Sequence, residues 1–150
     1  MAIGAKGIYE VRKVTDIREA IYGAAELFGE KDALLEKNKA TDKYEAYSYN
    51  RFVKDIKSLG TALCNIGLKD KRVVVMGENR YLWSVSYMAV VNGTGIVVPV
   101  DVQLIQNDLK YIFESSKPEA VIFTDKKANE IKNLAEELSF IKYFINMDGN

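Results

Sequence analysis

Residues 70–101 read DKRVVVMGENRYLWSVSYMAVVNGTGIVVPVD, and the fold turns on them. Val73, Val74, Val75 and Met76 form an unbroken apolar, mostly β-branched run, as in a strand covered on both faces. Gly77, Glu78 and Asn79 make a turn. Asn79 is the expected N-cap, because its side chain can accept a bond from a free helix N–H. A helix follows over residues 81–91, with Leu82, Val85 and Ala89 at i, i+3, i+7 and Trp83, Tyr87 and Val90 beside them. Asn92-Gly93-Thr94-Gly95 stops it, since Gly tolerates the left-handed conformation at a helix end. Ile96, Val97 and Val98 begin a second buried strand, which Pro99 closes. The whole is one βαβ unit, and such units join parallel strands.

The alternation continues downstream. A helix is expected over 106–116, opened by Gln106 or Asn107, with Leu109, Ile112 and Phe113 inward. Lys117-Pro118 is a break, because proline forces its predecessor out of the helical region. A buried strand over 120–124, a helix over 126–138 and a last strand over 141–147 complete the series. Strands alternating with helices are the signature of a parallel sheet.

Upstream the pattern differs. Residues 1–14 read as an extended arm in which Ile8, Tyr9 and Val11 could dock on a neighbour. Thr15 or Asp16 caps a helix to Phe28 whose apolar face is Ile17, Ala20, Ile21, Ala24, Leu27 and Phe28, with Gly29 ending it. Residues 33–36 and 44–49 predict an antiparallel hairpin around a polar turn at 37–43. Ser48 or Asn50 caps a helix over 51–66 with the stripe Phe52, Ile56, Leu59, Leu63, Ile66, stopped by Gly67. The fold class expected is therefore α/β: a mostly parallel sheet flanked by helices, preceded by a helix and a β-hairpin.

At 150 residues one domain is the natural expectation. A chain of that size buries about 68–70% of the surface its unfolded form exposes, enough for a core without staples. With 21 basic against 21 acidic residues there is no net charge, so composition gives no support for nucleic-acid or anionic-membrane binding. Cys64, the one cysteine, cannot form an internal disulfide and fits a reducing cytosol; it reads as a small buried hydrophobe. Histidine is absent, which removes Ser–His and Cys–His nucleophile pairs and His-containing zinc sites. The N-terminus lacks the apolar core of a signal peptide. The most apolar window, 83–100, is broken by Asn92–Gly95 and Pro99, so no transmembrane segment is expected and a cytoplasmic location is.

Ligands of open parallel sheets bind beyond the carboxyl ends of strands. Gly77-Glu78-Asn79-Arg80 and Asp101-Val102-Gln103 follow strand ends and are the natural contact candidates. Capping, turn formation and favourable charge at a helix start also account for Asn79, Gly77 and Glu78. Lys126-Lys127, Glu136-Glu137 and the run Lys69–Arg72 read as solvated faces, and Trp83 as core packing. There is no G-x-x-x-x-G-K-[ST] phosphate loop. Gly93-Thr94-Gly95 follows a helix and precedes a strand, the reverse of a dinucleotide fingerprint, so an NAD-dependent enzyme is disfavoured.

Glu78-Asn79-Arg80, Trp83, Ala89, Gly93 or Gly95, and Val97-Val98-Pro99-Val100-Asp101, set behind a valine strand, resemble the N-terminal region of the AMP-forming acyl-CoA synthetases, within the adenylate-forming ligases. Tyr49 before the second helix and Gly67-Leu68-Lys69-Asp70 after it fit the same pattern. Tyr81-Leu82 departs from it, where Pro-Glu is more usual. The resemblance covers roughly residues 30–147 and only the front of the family's enzyme. It implies domain 15–150 as the N-terminal α/β subdomain of an AMP-binding ligase, truncated before the phosphate loop. It implies a parent that joins a long-chain fatty acid to CoA using ATP and Mg2+, releasing AMP and pyrophosphate. Asp101-Val102-Gln103-Leu104 looks more like the acyl-CoA branch than the Asp-Pro wording of peptide-synthetase domains. Trp83, Tyr87 and Met88 lie in a region whose helices help wall the family's acyl pocket. The family's Ser/Thr-Gly-rich loop ending in Pro-Lys and its later motifs do not occur here. No catalytic, cofactor-binding or metal-binding residue is therefore assigned, no cofactor is expected bound, and the 150-residue chain alone is expected to be inactive and to self-associate through faces that the remainder of the chain would cover. The alternative is a stand-alone, non-catalytic α/β binding or interaction module.

Overall fold

Four residues with no solvent exposure, Val73, Val74, Val75 and Met76, occupy the middle of the sheet. A computed structural model describes residues 12–149; the arm residues Ile8, Tyr9 and Val11 lie outside them. Strand β3 (Arg72–Met76) is flanked by β4 (Ile96–Val100) and β5 (Ala120–Phe123), with β6 (Tyr143–Asn146) beyond β5. The order is β4-β3-β5-β6 and every pairing is parallel, with Val75 opposite Pro99 on one side and Ile122 on the other. A separate antiparallel hairpin, β1 (Asp32–Lys37) and β2 (Tyr44–Ser48), lies outside this sheet.

Side chains alternate across a strand, and two cores result. Val74 and Met76 pack with Leu109 and Phe113 of α4 (Gln106–Ser116) and Ile131 and Leu134 of α5 (Ala128–Glu137). Val73 and Val75 pack with Leu63 of α2 (Tyr49–Asn65) and with Val90, just after α3 (Tyr81–Ala89). A third cluster, Phe52, Ile56, Tyr81 and Val85, joins α2 to α3 and meets Leu34 and Tyr47 of the hairpin.

Local chemistry explains most boundaries. Helix α1 (Ile17–Phe28) starts with Asp16 accepting from the Glu19 amide at 2.7 Å while Glu19 accepts from the Thr15 amide at 2.9 Å. Ser48 caps α2 through the Arg51 amide at 3.3 Å. Helix α3 ends in a π turn, Val90–Thr94, where Gly93 adopts φ +120°. Two cations close the exposed carbonyls there, as favours a helix C-terminus: the Arg18 guanidinium donates to the Asn92 carbonyl, and Lys69 Nζ donates to that of Gly93 at 2.7 Å.

Several expectations are corrected. Asn79 does not cap α3; Arg80 holds the cap position without a side-chain cap bond. The buried stripe of α3 is Tyr81, Val85, Ala89, leaving Leu82 exposed, because the hairpin draws Tyr81 inward. Strand β4 is an edge, with Ile96 at 55% exposure, and Pro99 lies inside it; an edge strand tolerates a missing N–H. The apolar face of α1 is largely open, with only Gly23 buried in that helix, since it packs mainly on α2 and the π turn. Helix α4 does open at Gln106, as expected, with Ile105 at the cap position and no side-chain cap bond. A 3-10 turn at Asp125–Lys127 precedes α5. Lys117 leaves α4 in the left-handed region, φ +48°.

Candidate functional site

The crevice of an open sheet lies where neighbouring strands send their connections to opposite sides. After β3 the chain goes to β4; after β5 it goes to β6 on the far side. The switch point is thus between β3 and β5. A cleft of about 1040 Å³ opens there, between the loops after those strands and the inner side of the hairpin. Glu78 and Arg80 line it, as the strand-end rule predicts, together with Thr124, Asp125, Lys126 and Asp148. The other candidates, Asp101 and Gln103, sit apart in a smaller cavity of about 530 Å³. There Asp101 Oδ1 accepts from the Gln103 amide at 2.8 Å, which shapes the loop. Gly77 faces this cavity too, and a Cβ on it would stand 2.7 Å from Thr124 Cγ2, so close packing of the two strand ends requires the glycine.

Charges in the large cleft are arranged in pairs. Glu78 Oε1 and Lys126 Nζ are 2.5 Å apart. That bond, helped by a backbone hydrogen bond against the opposing effect of burial, holds the Glu78 carboxyl at about 2, well below its ordinary value. Arg80 Nη2 lies 2.5 Å from Asp148 Oδ1, and the Asp125 amide donates to Asp148 Oδ2 at 2.8 Å. Asn146 Nδ2 in turn donates to Asp125 Oδ1 at 2.6 Å. The Asp125 amide first, then Arg80, keep the Asp148 carboxyl below the usual carboxylate range. Loops after β3, β5 and β6 are thereby tied at their tips. Arg80 Nε and Nη2 are both buried without a hydrogen-bond partner among the described residues, Nη2 having its ion-pair contact with Asp148 alone.

The hairpin wall is tied to the same helix start. Glu36 Oε2 accepts from the Tyr81 amide at 2.7 Å, supplying the cap that residues 79 and 80 do not. The Tyr81 ring stacks on Tyr47 at 3.6 Å between centroids, 11° from parallel. Its hydroxyl donates to Asp55 Oδ2 at 2.8 Å. Burial, reinforced by Asp55, pushes that hydroxyl's pKa up. Arg51 lies 4.8 Å over the Tyr47 ring and 3.8 Å from Asp55.

Trp83 packs partly buried against the Val73–Val75 face, stacks on Tyr87 at 5.4 Å, and lines both cavities. Met88 packs against the third cluster instead. Cys64 is half-buried, 3.9 Å from the Thr94 hydroxyl. Lys126 and Lys127, read from sequence as a solvated face, are both engaged. Lys127 Nζ, nearly buried, donates to the Leu104 carbonyl at 3.0 Å and to Glu130 at 2.9 Å. Asp148 and Thr124 carry no sequence signal beyond their position just past strand ends. Among the described residues no group of three or more His, Cys, Asp or Glu side chains is placed to hold a metal ion. No helix among them is long and apolar enough to cross a membrane.

A doubly wound sheet with its crevice between the first and third strands, preceded by a helix and hairpin, is the architecture of the N-terminal domains of adenylate-forming ligases. The chain belongs to the AMP-binding enzyme family, whose profile matches residues 22–147. A curated relative, the uncharacterized acyl-CoA ligase YtcI of Bacillus subtilis (strain 168), is 29% identical over 96 residues, which are 63% of this chain and 18% of the relative. Solved structures share the fold, two among them as follows. The N-terminal domain of FACL13 from Mycobacterium tuberculosis superposes with a TM-score of 0.79 at 17% identity, over 91% of this chain and 35% of that one. FadD1, a long-chain-fatty-acid-CoA ligase from Archaeoglobus fulgidus, gives 0.79 at 20% identity, over 89% and 27%. The chain therefore spans well under half the length of the relatives it matches.

Proposed function

We propose that residues 15–150 form the N-terminal subdomain of a cytoplasmic AMP-forming long-chain fatty acid–CoA ligase. The whole enzyme would turn fatty acid, ATP and CoA into acyl-CoA, AMP and pyrophosphate. A carboxylate is a poor electrophile; adenylation gives it a leaving group, and Mg2+ with cationic side chains offsets phosphate charge in such transfers. The observation that carries the proposal is the family match running through nearly the whole chain. Support for a long-chain acid comes from FadD1, described as a long-chain-fatty-acid-CoA ligase, and from the wording Asp101-Val102-Gln103-Leu104.

The residues present do not fit a nucleotide or metal site of their own. In the large cleft Lys126 and Arg80 are each paired with a carboxylate, and no acidic cluster of metal-binding size exists among the described residues. No chemical step is assigned to them. Within this reading the 150-residue chain positions a wall of the enzyme and does not itself catalyse adenylation.

ATP–pyrophosphate exchange tests both parts. The 150-residue chain should give no exchange above a buffer blank with any fatty acid, and exchange would overturn its assignment as a non-catalytic subdomain. Where the coding DNA continues in frame beyond codon 150, the longer product should exchange in the presence of palmitate. Exchange with an aromatic acid only would replace the long-chain assignment, and a stop codon after Asn150 would favour the binding-module alternative.

A further inference from the structure

We propose that the β1–β2 hairpin is a hinged wall of the large cleft, opening as a unit separate from the sheet, and that Glu36 is its latch. The hairpin shares no ladder with the four-stranded sheet. Two backbone bonds anchor its base, Tyr49 N–H to the Lys31 carbonyl at 3.1 Å and Asn50 N–H to that of Gly29 at 3.0 Å. Away from the base it touches the core through few side chains. Leu34 and Tyr47 pack partly buried on the α2–α3 cluster, while Leu35 and Tyr44 are exposed. An isolated two-stranded hairpin is marginal in water, and elements with few buried contacts open locally at a fraction of the global free energy.

Among the described residues Glu36 is the one polar tie that runs from the hairpin into the α3 start. Its carboxylate takes an amide that no local residue caps, 45 positions away in sequence. A charged acceptor at a helix N-terminus makes a stronger bond than a neutral one and is favoured by the helix dipole. The stacked pair Tyr47–Tyr81 lies next to it and holds the ring face of the same residue. Latch and stack thus converge on Tyr81. The cleft is lined on one side by the hairpin and on the other by loops that are tied to one another, so the hairpin side is the one free to move. This inference does not depend on which acid the ligase activates.

Native-state hydrogen exchange with peptide-level mass analysis tests it on the 150-residue chain. In the wild type, amides over residues 33–47 should exchange ahead of those in β3 and β5. In Glu36→Ala the hairpin amides should exchange at least about tenfold faster, as loss of a charge-assisted bond implies, with β3 and β5 unchanged. Glu36→Gln, which retains an acceptor, should fall between. The proposal is overturned if the wild-type hairpin exchanges together with the sheet. It is equally overturned if Glu36→Ala leaves hairpin exchange unchanged, or accelerates hairpin and sheet alike. Should the variants fail to fold, the wild-type comparison alone decides whether the hairpin opens separately.

Discussion

The parallel sheet and the hairpin are both β-structure, yet they are held in opposite ways. Strands β3 and β5 bury every side chain except that of Arg72, and each has a hydrogen-bonded neighbour on both sides. The hairpin buries none of its residues fully and has only itself to pair with. The sheet's stability is spread over two apolar faces. What holds the hairpin is concentrated in a few groups around Tyr81. A distributed core resists local loss, whereas a point attachment can be released by one substitution.

Substitutions can break or sharpen this contrast. The largest effect is expected at Phe113, fully buried between α4 and the sheet. Phe113→Ala should lower unfolding free energy by about 3–5 kcal/mol in urea titration, whereas Leu35→Ala on the exposed hairpin face should change it by no more than about 0.5 kcal/mol. Next is Gly95→Ala. A Cβ there would overlap the Lys71 carbonyl oxygen, which is backbone and cannot rotate away. A loss of roughly 1–3 kcal/mol is expected, read as a lower midpoint with β3–β4 amides less protected. Third is Tyr81→Phe, which removes the hydroxyl that donates to Asp55 and leaves that carboxylate its longer ion pair with Arg51. It should cost about 1–2 kcal/mol and loosen the hairpin more than the sheet.

Smallest is the acid response at the strand tips. The Glu78 carboxyl is held at about 2 in the folded chain against an ordinary 4.5. Its contribution is therefore fully present above pH 4.5 and lost as pH falls from there through about 2. Lys126 is mostly exposed and solvent screens the pair. Glu78→Gln should flatten the fall in stability over that window while changing stability at pH 7 by less than about 1 kcal/mol. A thermal-denaturation series in pH, repeated in high salt, measures it.

Much of the fold was legible because its signals are local. A run of valines, a glycine after an amphipathic stripe, and a serine three residues before a free amide each specify an element without reference to distant chain. Strand order and edge position are not local properties. Ile96-Val97-Val98 looks as apolar as Val73-Val74-Val75, and only the crossover that sends β5 to the other side of β3 leaves β4 at the margin. The start of α3 failed for the same reason: Asn79 is a sound cap by type, but Glu36 reaches the amide from 45 residues away. At the cleft, the strand-end rule found Glu78 and Arg80. Their partners Lys126 and Asp148 come from loops whose proximity depends on sheet order, so a charge run that reads as solvated became a strand-tip tie.

Pro99 gives the two margins of the sheet different prospects. Strand β4 carries a residue with no N–H to offer, and β6, from Tyr143 to Asn146, contains no proline. A further strand, from whatever source, meets a proline-interrupted template on one side and a proline-free one on the other. Growth of the sheet by strand addition is in that sense directional: it has one good starting edge, and that edge is β6.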